Sequence, residues 1–143
     1  MSGFKRTSPW LNTNSLPYTV LGDAKDIHVG EGFSVSRPPL PFFDVTGSEI
    51  YFGNSVMMSS GVYIHTHSHE FSKRNWRDLP IIINNEPTLI GDYVFFGVNA
   101  QIMHTCKSIG DYSVIAAGAI VTKDVPDYEI WAGNPARKID SVE

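Results

Sequence analysis

A beat of six residues runs through this chain and limits its fold more than any other feature. Ile90, Phe96 and Ile102 recur at six, and Ile109, Ile115 and Val121 recur at six after one slip to seven. An apolar or small partner follows four residues later: Val94 after Ile90, Ala100 after Phe96, Ser113 after Ile109, Ala119 after Ile115 and Val125 after Val121. Upstream, Phe52, Met58 and Ile64 form one such series and Val56 and Val62 the other, and a fainter copy runs through Ile27, Val29, Phe33 and Val35. Two inward positions in every six fit a short strand followed by a turn, with three strands completing a triangular coil. Turn residues stand where that geometry needs them, at Gly53-Asn54, Ser60-Gly61, Gly91-Asp92, Gly110-Asp111 and Ala117-Gly118. The competing architecture is an antiparallel sandwich, whose strands come at irregular spacings of about 8 to 12 residues. A phase held over 90–102 and again over 109–121 favours an all-β parallel β-helix.

Composition agrees. The chain holds 12 Val and 13 Ile against 6 Leu, a bias toward extended structure. Gly or Pro interrupts almost every candidate helix, so little helix is expected. At 143 residues the chain is expected to be one β-helix domain, with residues 1–20 as an N-terminal arm and 126–143 as a C-terminal segment. Ile64 and Ile90 stand 26 positions apart, so a segment of about 68–85 must loop outward. It carries Lys73, Arg74, Trp76 and Arg77, and protruding loops of this size are commonly functional. The slip to seven falls at 103–107 and reads as a bulge displacing His104 and Cys106.

Several function classes are excluded by charge and pattern. The formal charge is −4, with no concentrated basic face, which argues against a nucleic-acid partner. The longest run of apolar and Gly residues, Val114 to Val121, is too short for a membrane-spanning helix. The N-terminus has a basic pair but no apolar stretch after it, so cytoplasmic residence is expected. Cys106 is the single cysteine, which excludes an internal disulfide and a multi-thiolate metal site within one chain.

Ile90-Gly91-Asp92, Ile109-Gly110-Asp111, Val121-Thr122-Lys123-Asp124-Val125-Pro126 and Gly133-Asn134-Pro135-Ala136-Arg137 occur in that order. Together they resemble the hexapeptide-repeat acyltransferases, most nearly the galactoside and maltose O-acetyltransferase branch, over about residues 50–139. The resemblance implies a left-handed parallel β-helix, a homotrimer, and acetyl-CoA sites in clefts between subunits. The general preference for right-handed crossovers would predict the opposite hand, so the left hand rests on the resemblance alone.

Chemistry concentrates in Ile64-His65-Thr66-His67-Ser68-His69-Glu70, which holds three of the five histidines at alternate positions. If extended, all three point to one face. They read as solvated surface groups, as zinc ligands in the manner of the γ-carbonic anhydrases, or as a general base. The resemblance places His69 at the family's catalytic histidine, where it would remove a proton from an acceptor hydroxyl of a sugar or glycan precursor attacking the thioester. His67 and His65 would hold the acceptor or orient His69; both depart from the family pattern, which keeps the zinc reading open. Ala117, Thr122, Lys123 and Arg137 match positions where the family meets pantetheine and phosphates. Phe95 and Trp76 would shape the acceptor site. No metal is expected. Besides the transferase and the zinc enzyme, a non-catalytic trimeric scaffold is a third reading.

Overall fold

A computed structural model of the chain describes residues 4–6, 16–69, 81–83 and 86–143, with 4–6 and 81–83 as backbone only. Trp76 and its basic neighbours in the expected outward segment lie outside the described residues. β1 (Phe4–Arg6) precedes a first coil of β2 (Thr19–Leu21), β3 (Ile27–Val29) and β4 (Phe33–Val35). The second coil is β5 (Phe42–Asp44), β6 (Ile50–Phe52) and β7 (Met57–Met58). β8 (Tyr63–Ile64) opens the third coil, which β11 (Thr88–Ile90) and β12 (Phe95–Phe96) complete. Between them, β9 (His67–His69) and β10 (Ile81–Ile83) leave the column and pair antiparallel. β13 (Gln101–Ile102), β14 (Ser108–Ile109) and β15 (Val114–Ile115) form the fourth coil. β16 (Ile120–Val121), a bridge at Val125 and β17 (Glu129–Gly133) form the fifth, and β18 (Ala136–Ser141) folds back antiparallel on β17.

The coils stack into three parallel faces. β2, β5, β8, β13 and β16 make the first, β3, β6, β11 and β14 the second, and β1, β4, β7, β12, β15 and β17 the third. The architecture is a left-handed parallel β-helix of hexapeptide repeats with one protruding element. Among the described residues the only helical turn is the short Ala24–Asp26 segment. Side chains of the six-residue beat fill the column: Ile90, Val94, Phe96, Ala100, Ile102, Ile109, Ser113, Ile115, Ala119, Val121 and Val125 are all buried. Toward the N-terminal end rings replace aliphatics, with Tyr18, Phe33, Phe43 and Phe52 in mutual contact at centroid separations of 5.0–6.1 Å.

The slip to seven does not displace Cys106. Four residues after Ile102, the cysteine occupies the ordinary second inward station and is fully buried, which pushes its thiol up to about 12. The additional residue is accommodated after it, where the Lys107 and Ser108 amides both donate to Asp124 Oδ1 at 2.7 and 3.1 Å. The thiol behaves as a small apolar group and fills the inward station, whereas the Lys107 side chain is only partly buried.

The recurring Gly-Asp pair has a physical reason at the corner between the second and third faces. Asn54 N–H donates to Asp92 Oδ1, Asp92 N–H to Asp111 Oδ1 and Asp111 N–H to Asp127 Oδ1, at 2.7–2.8 Å. Each carboxylate therefore reaches the coil before it, and the residue it passes has no room for a side chain. A Cβ on Gly91 would stand 2.3 Å from Asp111 Oδ1 and 2.8 Å from its backbone nitrogen. By contrast, a Cβ on Gly118, whose φ is +71°, would meet nothing within 4 Å. Gly91→Ala is accordingly expected to lower the unfolding free energy by roughly 3 kcal/mol, at the upper end for point changes. Gly118→Ala should lower it by roughly 1 kcal/mol, the strain of a left-handed backbone alone. Denaturant midpoints compare the two, and equal losses would contradict the close-approach argument.

Candidate active site

The site forms where the third coil interrupts its own stacking. After β8 the chain turns the corner between the first and second faces and departs into β9, so the strand leaves over the end of β5. Thr66, inside that corner, is buried and its Oγ1 accepts the Gly47 and Ser48 amides at 3.0 and 3.2 Å, pinning the second coil to the third. Asp44, at the end of β5, is thereby covered to 1% exposure although it falls between the inward stations Phe43 and Val45.

The buried carboxylate is fully engaged. Thr46 N–H donates to Asp44 Oδ1 at 2.9 Å and Thr46 Oγ1–H to the same oxygen at 2.6 Å. Asp44 Oδ2 lies 2.5 Å from His67 Nδ1, which is also 2.8 Å from Thr46 Oγ1. A hydroxyl has one proton, and that of Thr46 goes to Asp44, so the Thr46 oxygen can only accept from the ring. The network thus assigns the proton to His67 Nδ1 and leaves Nε2 as an acceptor. Burial pushes the Asp44 carboxyl up, but the Thr46 hydrogen bonds, with the charge and hydrogen bond of His67, outweigh it and hold the group below its ordinary value.

The three alternate histidines do not act as one set. His67 and His69 share a face of β9 and meet edge to face, ring centroids 5.7 Å apart. His65, still on the corner, stacks on Tyr63 at 3.9 Å and places Nε2 3.2 Å from Gln101 Oε1. Burial holds the His65 imidazole below its ordinary pKa. His104, one coil further, is held down by burial and then by the charge of Lys107. Among the described residues, His104 Nδ1 and Lys107 Nζ are buried without a hydrogen-bond partner. In the same set, no three His, Cys, Asp or Glu side chains are grouped so as to hold a metal ion.

The remaining expected site residues lie elsewhere on the column. Thr122 stacks in the column of His65 and Met103, its carbonyl accepting from Thr105 Oγ1 at 2.7 Å, with Lys123 exposed beside it. Ala117 is exposed on a different corner, between the third and first faces. Arg137 is exposed on β18, and its Nη1 donates to the Ala136 carbonyl at 2.8 Å. Phe95 stands on the outer side of the third face between Met57 and Val114. One chain therefore unites His67 with His69 but keeps them on a different corner from Ala117 and a different face from Phe95. Sequence reasoning missed Asp44 and Thr46, and the only signal was an acid embedded in Phe42-Phe43-Asp44-Val45.

The hexapeptide-repeat β-helix with one protruding element defines the class. The chain is 31% identical over 134 residues to a galactoside O-acetyltransferase of Lactococcus lactis, covering 87% of this chain and 58% of that protein. It is 34% identical to the crystal structure of a maltose O-acetyltransferase from Clostridium difficile, with a TM-score of 0.71, covering 82% of this chain and 60% of that one. A hexapeptide-repeat acetyltransferase from Vibrio cholerae, complexed with acetyl coenzyme A, matches at 25% identity and a TM-score of 0.78 over 99% of this chain and 72% of that one. No family model matches. The chain belongs to the hexapeptide-repeat acyltransferases and spans about half the length of the curated relatives it matches. Among the described residues, no helix is long and apolar enough to cross a membrane.

The pH dependence of stability follows from these environments. His65 and His104 fold with lowered pKa, so below the ordinary value of about 6.5 the unfolded chain binds protons that the folded one resists, and stability falls. Asp44 has a lowered folded pKa, so its contribution is present at neutral pH and is lost as pH falls below about 3.9 through the folded value. Denaturant unfolding against pH should show both stages, with Asp44→Asn flattening the more acidic one.

Proposed function

We propose that this chain is an acetyl-CoA-dependent O-acetyltransferase that acylates a hydroxyl of a sugar or glycan precursor by direct transfer, working in the cytoplasm. The observation that carries this reading is the imidazole of His67 anchored by a buried carboxylate beside a second imidazole at the opening of the hairpin. Such a pair suits proton removal from a hydroxyl near neutral pH. The acceptor oxygen attacks the thioester carbon as its proton passes to imidazole, backbone N–H groups at a coil turn hold the resulting oxyanion, and the C–S bond breaks. The imidazolium then returns the proton to the departing thiolate.

The resemblance assigns the proton to His69, with His67 orienting its ring and the acceptor. The hydrogen-bond network favours a second reading in which His67 is itself the base, because Asp44 fixes Nδ1 as the protonated nitrogen and stabilises the imidazolium that forms.

The residues suited to acetyl-CoA fit its chemistry. The Ala117–Gly118 corner is uncovered, with open space at Gly118 for a pantetheine arm to lie along the backbone. Exposed Lys123 and Arg137 suit phosphates, one as a mobile point charge and the other as a planar fork. Because the Ala117–Gly118 corner stands apart from His67 and His69 on one column, a cleft between subunits of a homotrimer is the proposed place where they meet. The outward, partly exposed Met57 and Phe95 give the third face apolar area for such a contact. Trp76 is proposed to shape the acceptor side.

Thiol release from acetyl-CoA with a panel of sugars tests the activity. Removing the base should lower turnover by roughly 10² to 10⁴ while CoA binding persists. Loss of that size in His69→Ala with only a modest loss in His67→Ala assigns the base to His69, and the reverse assigns it to His67. Undiminished turnover in both variants refutes the mechanism.

A further inference from the structure

On the corner between the second and third faces, away from the histidines, three tyrosines form a ladder. Tyr93, Tyr112 and Tyr128 lie in successive coils, with ring centroids 4.9 and 5.0 Å apart and planes within 6° of parallel. All three have left-handed backbones, at φ of 59°, 61° and 61°. That conformation is unfavourable for a bulky residue, and each ring stack offsets part of the cost. The ladder is not buried for this: Tyr93, at its upper end, remains 55% exposed.

Above Tyr93 the same corner station is held by Ser55, at φ 57°, and then by Gly32, at φ 73°. Neither carries a ring. The backbone geometry of the ladder continues while its rungs stop, leaving a cleft of about 410 Å³ lined by Glu31, Gly32, Asn54, Ser55 and Tyr93. Its walls are fixed, because Asn54 Oδ1 accepts the Glu31 amide at 2.9 Å and the Ser55 amide donates to the Glu31 carbonyl at 2.7 Å. That bond leaves the Asn54 amide nitrogen as a donor, next to the Ser55 hydroxyl and the Glu31 carboxylate.

We propose that this cleft binds a neutral pyranose ring, stacked as the next rung on the outer face of Tyr93. A pyranose offers a C–H face to the ring and hydroxyls on its rim to the amide, hydroxyl and carboxylate around it. The rung spacing of about 5 Å suits a six-membered ring laying its C–H face on Tyr93, and the Glu31 carboxylate repels phosphorylated or carboxylated ligands. An organic cation would use the Tyr93 face and Glu31 but leave the amide and hydroxyl without a role. The inference does not rest on acetyl transfer, and it places a glycan-holding site apart from the candidate active site.

Saturation-transfer NMR on the full chain, with methyl glycosides of glucose, galactose, mannose and N-acetylglucosamine, tests it. Binding of at least one glycoside at millimolar concentration is expected, weakened at least about tenfold in Tyr93→Ala. Ser55→Tyr supplies the missing rung on a station whose backbone already has the ladder's φ, so it should keep the thermal unfolding of the parent and block the glycoside. Binding to none of the four glycosides, or binding undisturbed in Ser55→Tyr, overturns the proposal. So does tetramethylammonium binding that Ser55→Tyr abolishes while no glycoside binds, which would make the cleft a cation site.

Discussion

Each coil donates its amides to the coil beside it, as from Gly53 N–H to the Ile90 carbonyl at 2.8 Å and from Gly91 N–H to the Ile109 carbonyl at 2.8 Å. In a parallel ladder this pairing sets residues of equal phase directly over one another, one strand spacing apart. Whatever stands at a station must then tolerate its own kind above and below. Apolar stations make a continuous core, Gly-Asp stations a chain of carboxylate-to-amide bonds, and left-handed corner stations a stack of tyrosines. Repetition in the sequence thus becomes a column of like contacts, and a departure from repetition becomes a local feature of the surface.

The two features of functional interest are both such departures. Where β9 leaves the third coil, the stacking over the end of β5 is broken and the departing strand covers Asp44. A charge that would have faced water becomes a buried acceptor, tolerable because Thr46 and His67 satisfy it. At the other corner, Ser55 and Gly32 end the tyrosine ladder without altering the backbone that would carry it, and a cleft results. In neither case is a special loop conformation needed. The sites arise from interrupting a periodic structure.

Much of the column could be read from residue types. The inward series from Ile90 to Val125 is buried as its spacing implies, and the protrusion begins where the phase is lost after Ile64. Reading failed where the relevant distance runs along the column axis. The seven-residue step from Ile102 to Ile109 does not show where the additional residue falls, and the coil keeps Cys106 at its second inward station and takes up that residue after it. Alternation groups the three histidines on one face only along a continuous strand, and the corner between β8 and β9 sets His65 apart from His67 and His69. Asp44 lies 23 positions from His67, and no local pattern signals that pairing.

By itself, the sequence determined the period, the inward residues, the turn chemistry and the family, because these depend on contacts that repeat every six residues and every coil. The tertiary structure decided which histidine has a buried acid, which nitrogen holds its proton, and that Ala117 stands on another corner from the histidines while Thr122 stacks in the column of His65. It also decided that three tyrosines share one stack and stop short of an open rung. These facts depend on the winding, which sets residues about twenty positions apart in contact, and on the β9–β10 pair that leaves it.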